Sequence, residues 1–149
     1  MSSRSVTHDT FTLERFYPAT PRRVFAAWSD PPAKASWFSP NATEHTLDFR
    51  VGGHERNSGG GPADGPDLAF ESTYHDIVDD ERVVFSSKLL ADDRIVTVSL
   101  TTVEMSPVDG GTRMVLTQQN AFLDGHEQPD WRRAGTCSQL DALGNELET

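Results

Sequence analysis

An α+β fold, one curved antiparallel sheet closed by a long C-terminal helix, is predicted by three features of this sequence. The first is Gln128 to Glu148, where Cys137, Leu140, Leu143 and Leu147 share one side at the helical period, and Ser138, Asp141, Asn145 and Glu146 lie on or near the other. The second is a series of short segments alternating at period two, separated by Gly, Pro and Asp-rich turns. The third is a pair of helix-start signals, Thr20-Pro21 and Asp30-Pro31, directly after the first alternating segment. At 149 residues the chain suits a single domain, 1–149, with one sizeable core.

The elements follow in order. Phe11 and Leu13 alternate with Thr10, Thr12 and Glu14, giving a strand to about Tyr17. Val24, Phe25 and Trp28 then recur at helical spacing, and a second short helix carries Trp37 and Phe38 before Ser39-Pro40 stops it. Leu47, Phe49 and Val51 run into the Gly52-Gly53 turn, followed by a short strand from His54 to Asn57. The stretch Asn57 to Asp67 is too rich in Gly, Pro and Asp for a strand and reads as a mobile loop, with a lid as the functional alternative.

Phe70, Ser72, Tyr74 and Asp76 share one face of the fourth strand, and Val83 and Phe85 point together on the fifth. Strand six sets Val96, Val98 and Leu100 against Thr97, Ser99 and Thr101, and strand seven, Thr112 to Phe122, aligns Met114, Leu116 and Gln118. The order β-αα-β6-α is the helix-grip arrangement, in which a seven-stranded antiparallel sheet wraps the last helix and its curvature leaves a cavity. Pro129 and Asp130 suit the first turn of that helix. Gly135 interrupts its apolar stripe, which suggests close backbone approach or space kept for something else, with a tolerated glycine in a partly frayed turn as the plain alternative.

Composition excludes several classes. A net charge of −10 with thirteen scattered Lys and Arg argues against nucleic acid as a partner. No apolar run approaches the roughly 20 residues that span a bilayer, and the polar Met1 to Thr10 does not read as a signal peptide, so no membrane partner and a cytoplasmic location are expected. Cys137 has no second cysteine, which fits a reducing compartment and a small buried hydrophobe. His8, His45, His54, His75 and His126 show no metal-ligand spacing, and Gly59-Gly60-Gly61 lacks the lysine of a phosphate loop, so no metal and no cofactor are expected.

Several segments carry a family likeness: Pro21 to Pro31 (PRRVFAAWSDP), Ala35-Ser36-Trp37-Phe38, Gly52-Gly53, Tyr74 to Val78 (YHDIV), Glu81 to Phe85 (ERVVF), Gly111-Thr112-Arg113 and Phe122 to Gly125 (FLDG). From about Phe11 to Leu147 the chain resembles the SRPBCC (START-like) superfamily, within it the bacterial proteins similar to the C-terminal domain of the activator of Hsp90 ATPase. The resemblance implies a helix-grip fold with an internal cavity for hydrophobic or aromatic ligands, often in dimers. It also shows departures: Gln118 stands where relatives commonly carry glutamate, Arg133 where they carry an acid, and Thr136 where a tryptophan often follows the glycine.

Strand parity supplies candidate polar residues. If Phe49 and Val51 face the cavity, Gly53 and Glu55 continue that face, with Tyr74 and Gln118 beside them and Arg133 meeting them from the helix. A buried ion pair with satisfied neighbours is the structural alternative for Glu55. The expected ligand contacts are Trp28, Trp37, Phe38, Phe49, Phe70, Phe85 and Phe122, with Trp131 and Cys137 on the helix and Glu55, Tyr74, Gln118 and Arg133 as polar members.

The leading expectation is therefore binding of a small hydrophobic or aromatic molecule. A polyketide cyclase or dehydratase-like enzyme using Glu55 or Tyr74 is the alternative. An Hsp90-associated co-chaperone-like module is disfavoured, because one domain leaves no room for the additional N-terminal domain of the eukaryotic activator.

Overall fold

A computed structural model describes residues 4–148, so the first three residues of the polar N-terminal stretch lie outside it. The elements are β1 (Val6–Tyr17), α1 (Pro21–Ser29), α2 (Pro31–Phe38), β2 (Glu44–Leu47), β3 (His54–Ser58), β4 (Leu68–Val78), β5 (Arg82–Ala91), β6 (Arg94–Val108), β7 (Gly111–Leu123) and α3 (Pro129–Leu147). All seven strands form one sheet in the order β1-β7-β6-β5-β4-β3-β2, and each neighbouring pair is antiparallel. The first strand thus returns to lie beside the last, leaving β1 and β2 as edges.

The helix starts form as the sequence implies. Thr20 Oγ1 accepts from the Arg23 backbone N–H at 3.2 Å, and Asp30 Oδ2 accepts from the Ala33 N–H at 3.3 Å, each supplying a partner to a first-turn donor. On α3 the buried positions are Arg132, Thr136, Leu140, Leu143 and Leu147, spaced by four, four, three and four. Beneath its C-terminal half the Tyr17 hydroxyl donates to the Leu140 carbonyl at 2.8 Å. A Cβ on Gly144 would lie 3.4 Å from the Tyr17 ring, so glycine permits the close seating of α3 on β1.

Register places three rows of inward side chains across the sheet. Phe11, Gln118, Thr101, Phe85 and Tyr74 form one row; Asn120, Ser99, Ser87, Ser72 and Glu55 form the next; Phe122, Thr97, Leu89, Phe70 and Asn57 form the third. Alternation on β6 therefore resolves against hydrophobicity. Thr97, Ser99 and Thr101 are buried, whereas Val98 and Leu100 are 42% and 40% exposed on the outer face. Val103 and Met105 farther along the inward face anchor the core and set that parity, and Val96 is buried as well because the β5–β6 register shifts beside it.

Two other strand readings change. β2 ends at Leu47 and Val51 sits 59% exposed in the turn, yet Glu55 faces inward because β3 restarts its own parity after the turn. Asp76 leaves the face of Phe70, Ser72 and Tyr74 through a register shift after Tyr74, and its carboxylate pairs with Arg82 at 2.6 Å. β1 also extends beyond the expected start, back to Val6 beside Leu123.

Candidate functional site

Between the sheet and the N-terminal half of α3 lies a partly open cavity of about 230 Å³. Trp28, Trp37 and Phe38 from α1 and α2, Phe70, Phe85, Leu89 and Leu116 from the sheet, and Leu140 from α3 form its apolar walls. Trp28 and Trp37 meet edge to face at 4.8 Å, and Phe38 packs on Trp37 and Phe70, each at 5.6 Å, a mutually bracing aromatic wall. The cavity exceeds the roughly 150 Å³ of an engineered apolar cavity that takes up benzene. A fused two-ring molecule is the matching scale.

Gly135 lines this space, and a Cβ built on it would meet nothing within 4 Å. The close backbone approach that a mid-helix glycine can permit is not made here; the position is exposed and open. Trp131 and Gln139, one helical turn before and after it, also line the cavity. Gln139 is tied to the Phe38 carbonyl at 2.9 Å, and Trp131 is 63% exposed.

The polar end of the cavity is built on Arg132. Its Nε and Nη2 donate to Glu127 Oε2 and Oε1 at 3.1 and 2.7 Å, a forked pair, and Nη1 donates to Ser99 Oγ at 2.9 Å and Gln118 Oε1 at 3.4 Å. Glu127 Oε1 also accepts from Thr97 Oγ1 at 2.6 Å, and Gln118 Nε2 donates to Thr101 Oγ1 at 3.1 Å. Thr136, where a bulky tryptophan often stands in relatives by the resemblance, donates back to the Arg132 carbonyl at 2.9 Å.

A second buried cluster stands behind the aromatic wall. Lys34 Nζ donates to Glu55 Oε1 at 2.8 Å and approaches the Tyr74 hydroxyl at 3.3 Å, while Tyr74 donates to the same Glu55 oxygen at 2.6 Å. His45 Nε2 lies 2.7 Å from Glu55 Oε2. The ammonium rests 4.2 Å from the Phe38 ring centre and 5.2 Å from that of Trp28. Burial pushes the Glu55 carboxyl up, but the Lys34 ammonium and hydrogen bonds from His45, Lys34 and Tyr74 outweigh it and hold it at about 2. Burial lowers the Lys34 ammonium against the pull of Glu55, and both burial and the Glu55 charge push the Tyr74 hydroxyl up. This is an ionised pair, not a carboxyl poised to exchange protons with a ligand.

The expected polar quartet is thus divided. Gln118 reaches the cavity; Glu55 and Tyr74 are sealed outside it around Lys34. Arg133 points away, exposed, with its guanidinium 5.7 Å from the Phe11 ring, because the helix phase set by Leu140, Leu143 and Leu147 steps back in fours to Arg132. Among the apolar candidates, Trp28, Trp37, Phe38, Phe70, Phe85 and Trp131 line the cavity. Phe49 instead packs on Phe25 and Tyr74, Phe122 is buried away from the space, and Cys137 is half-buried against the core. Of the loop from Asn57 to Asp67 only Asn57 lines the cavity, and Asp67 is held by reciprocal bonds with Asp92 at 2.9 Å.

Sequence reasoning missed Lys34, His45, Glu127 and Arg132. Lys34 carried a signal: it lies three and four residues before Trp37 and Phe38 in an otherwise apolar helix whose other polar side chain is Ser36. Stepping back in fours from Leu140 would have found Arg132. Glu127, in the turn before α3, carried none.

A curved sheet gripping a long helix, with a chamber kept between them, defines the START-like (SRPBCC) class of proteins. Within it, the chain belongs to the family described as activator of Hsp90 ATPase homolog 1-like protein, which it matches over residues 18–148. It is similar to an uncharacterized protein from Rhizobium leguminosarum, at 40% identity and a TM-score of 0.93 over 97% of each chain. A protein from Rhizobium loti is also 40% identical, with a TM-score of 0.88 over 95% of this chain and 99% of that one. One from Chromobacterium violaceum is 26% identical, with a TM-score of 0.79 over 95% and 99%. No curated protein matches the chain.

Proposed function

We propose that this protein binds a small hydrophobic or aromatic molecule in the cavity between the sheet and α3. The observation that carries the reading is the aromatic-walled cavity itself, bordered on α3 by Gly135, where a Cβ would meet nothing within 4 Å. The aromatic wall and the few convergent polar groups at one end are the usual composition of such a site. The fold commonly serves hydrophobic ligands, and the relatives' names state no ligand or reaction. A cytoplasmic setting fits the acidic composition and the free thiol of Cys137.

The test is fluorescence titration with the neutral dye N-phenyl-1-naphthylamine. Saturable one-to-one enhancement is expected, and Gly135→Leu, which fills the space, should abolish it while the protein stays folded. A wild-type protein giving no saturable signal, or a Gly135→Leu variant binding as well as wild type, ends the reading.

A further inference from the structure

The inward face of the sheet continues past the chamber. Beyond the row of Thr97, Leu89, Phe70 and Asn57, pairing sets Leu68 of β4 opposite Ala91 of β5, each two residues farther along its strand and therefore on the same face. Beside them the β5–β6 register slips at Val96, which is buried along with Thr97. Leu68, Leu89 and Ala91 are only half-buried. Together with Val96 they floor an open groove of about 430 Å³, and among the described residues Trp131 is the one side chain of α3 in its walls. Asp92, Arg94 and His126 are polar walls, so the apolar part is a strip rather than a broad face, which suits a slender occupant.

Groove and chamber adjoin. Leu89, Glu127 and Trp131 are walls of both. Trp131, 63% exposed in the first turn of α3, stands where the two meet. Exposed side chains change rotamer within picoseconds to nanoseconds, so this indole is a movable partition rather than a closed wall. A fused two-ring molecule matches the chamber in size and leaves the strip in water, where covering its apolar surface would be favourable. From Leu89 to Ala91 the strip runs about 7 Å along the strand, the reach of a short alkyl chain.

From this continuity, and resting on the ligand-binding reading above, we infer that the ligand has two parts: an aromatic ring system seated in the chamber, and a flexible apolar arm that passes Trp131 and lies along Leu68, Leu89, Ala91 and Val96. The groove is then a second subsite that selects for the length of the arm, and Trp131 covers it.

The experiment titrates wild type and Leu68→Asn with 2-methoxy-, 2-propoxy- and 2-pentyloxynaphthalene, followed by naphthalene emission. Each added methylene should tighten wild-type binding about two- to fourfold, the upper value being that of a fully buried methylene. Leu68→Asn should bind the methoxy compound as wild type does and lose most of the gain with length. In wild-type carbon–proton spectra the methyl resonances of Leu68, Ala91 and Val96 should move with the pentyloxy compound and stay in place with the methoxy compound, a readout that decides the matter even if the variant does not fold. Affinity that does not rise with the arm overturns the inference, as does a rise that survives undiminished in Leu68→Asn, or methyl resonances that stay in place with the pentyloxy compound bound. A wild-type dimer that Leu68→Asn renders monomeric gives the groove to a second copy of the chain and overturns it as well. In each of those results the methoxy compound still binds and the cavity reading stands. Binding of none of the three removes both.

Discussion

Two buried ion pairs occupy one molecule and do different work. Lys34 and Glu55 have side chains at 0% exposure, ringed by Trp28, Phe38 and Tyr74 and closed off from the cavity. Arg132 and Glu127 are 10% and 14% exposed at the cavity's end, with Ser99, Thr97 and Gln118 completing their hydrogen bonds. Both are charge-assisted and well aligned. The difference is access: water can reach the second pair and not the first, so the first fixes how α2 sits on β3 and β4, while the second presents a polar surface to whatever enters. The placement of a buried charge, rather than its presence, separates framework from site.

The largest effect expected from this contrast is Glu55→Gln, which leaves the Lys34 ammonium buried without a counter-charge. It should cost about 3–5 kcal/mol of unfolding free energy in urea titration. The double replacement Lys34→Met with Glu55→Leu should recover most of that loss, since two apolar groups leave no orphaned charge. A double variant as unstable as the single one would mean that the pair is needed for more than charge compensation.

Acid should reach the same cluster. Glu55 is held at about 2 in the folded protein against an ordinary value of 4.5, so its contribution is fully present above about pH 4.5 and is lost as pH falls toward 2. The displacement corresponds to roughly 3 kcal/mol, visible as a falling urea midpoint through that window and largely absent in the double variant. A midpoint that stays flat from pH 5 to 2.5 would contradict the ionised pair.

At the open pair, Arg132→Met should cost only about 1–2 kcal/mol, because Glu127 can turn toward water at the mouth. A cost equal to that of Glu55→Gln would erase the distinction between the two regions. Smallest is Gly135→Ala, where a methyl in open space should stabilise the helix by about 0.5–1 kcal/mol while weakening dye binding. A stabilised variant with undiminished affinity would show that the space beside Gly135 is not used.

Much of the fold was legible because it rests on periodicity and local chemistry. Thr20, Asp30 and Pro21 start helices through bonds made within four residues, and alternation marks each strand whatever it later packs against. The site was legible only in part. Aromatics such as Trp37 and Phe70 could be placed near a cavity from their elements. The polar members could not be paired, because Lys34 meets Glu55 and Arg132 meets Ser99 across separations of 21 and 33 residues. β6 shows the limit most plainly. Alternation locates its two faces, but which one turns inward depends on Val103 and Met105 anchoring the far end, and that anchoring puts Thr97, Ser99 and Thr101 inside with Val98 and Leu100 out.

By itself the sequence determined seven strands, three helices and their order, since each is encoded in contacts among near neighbours. Only the tertiary structure decided that Arg132 rather than Arg133 looks inward, that Glu55 belongs to Lys34, and that Gly135 borders empty space. A rotation of α3 by one residue, about 100° of helical turn, would exchange one arginine for the other at little local cost. The choice is made by the seating of Leu140, Leu143 and Leu147 against the core and of Gly144 against Tyr17.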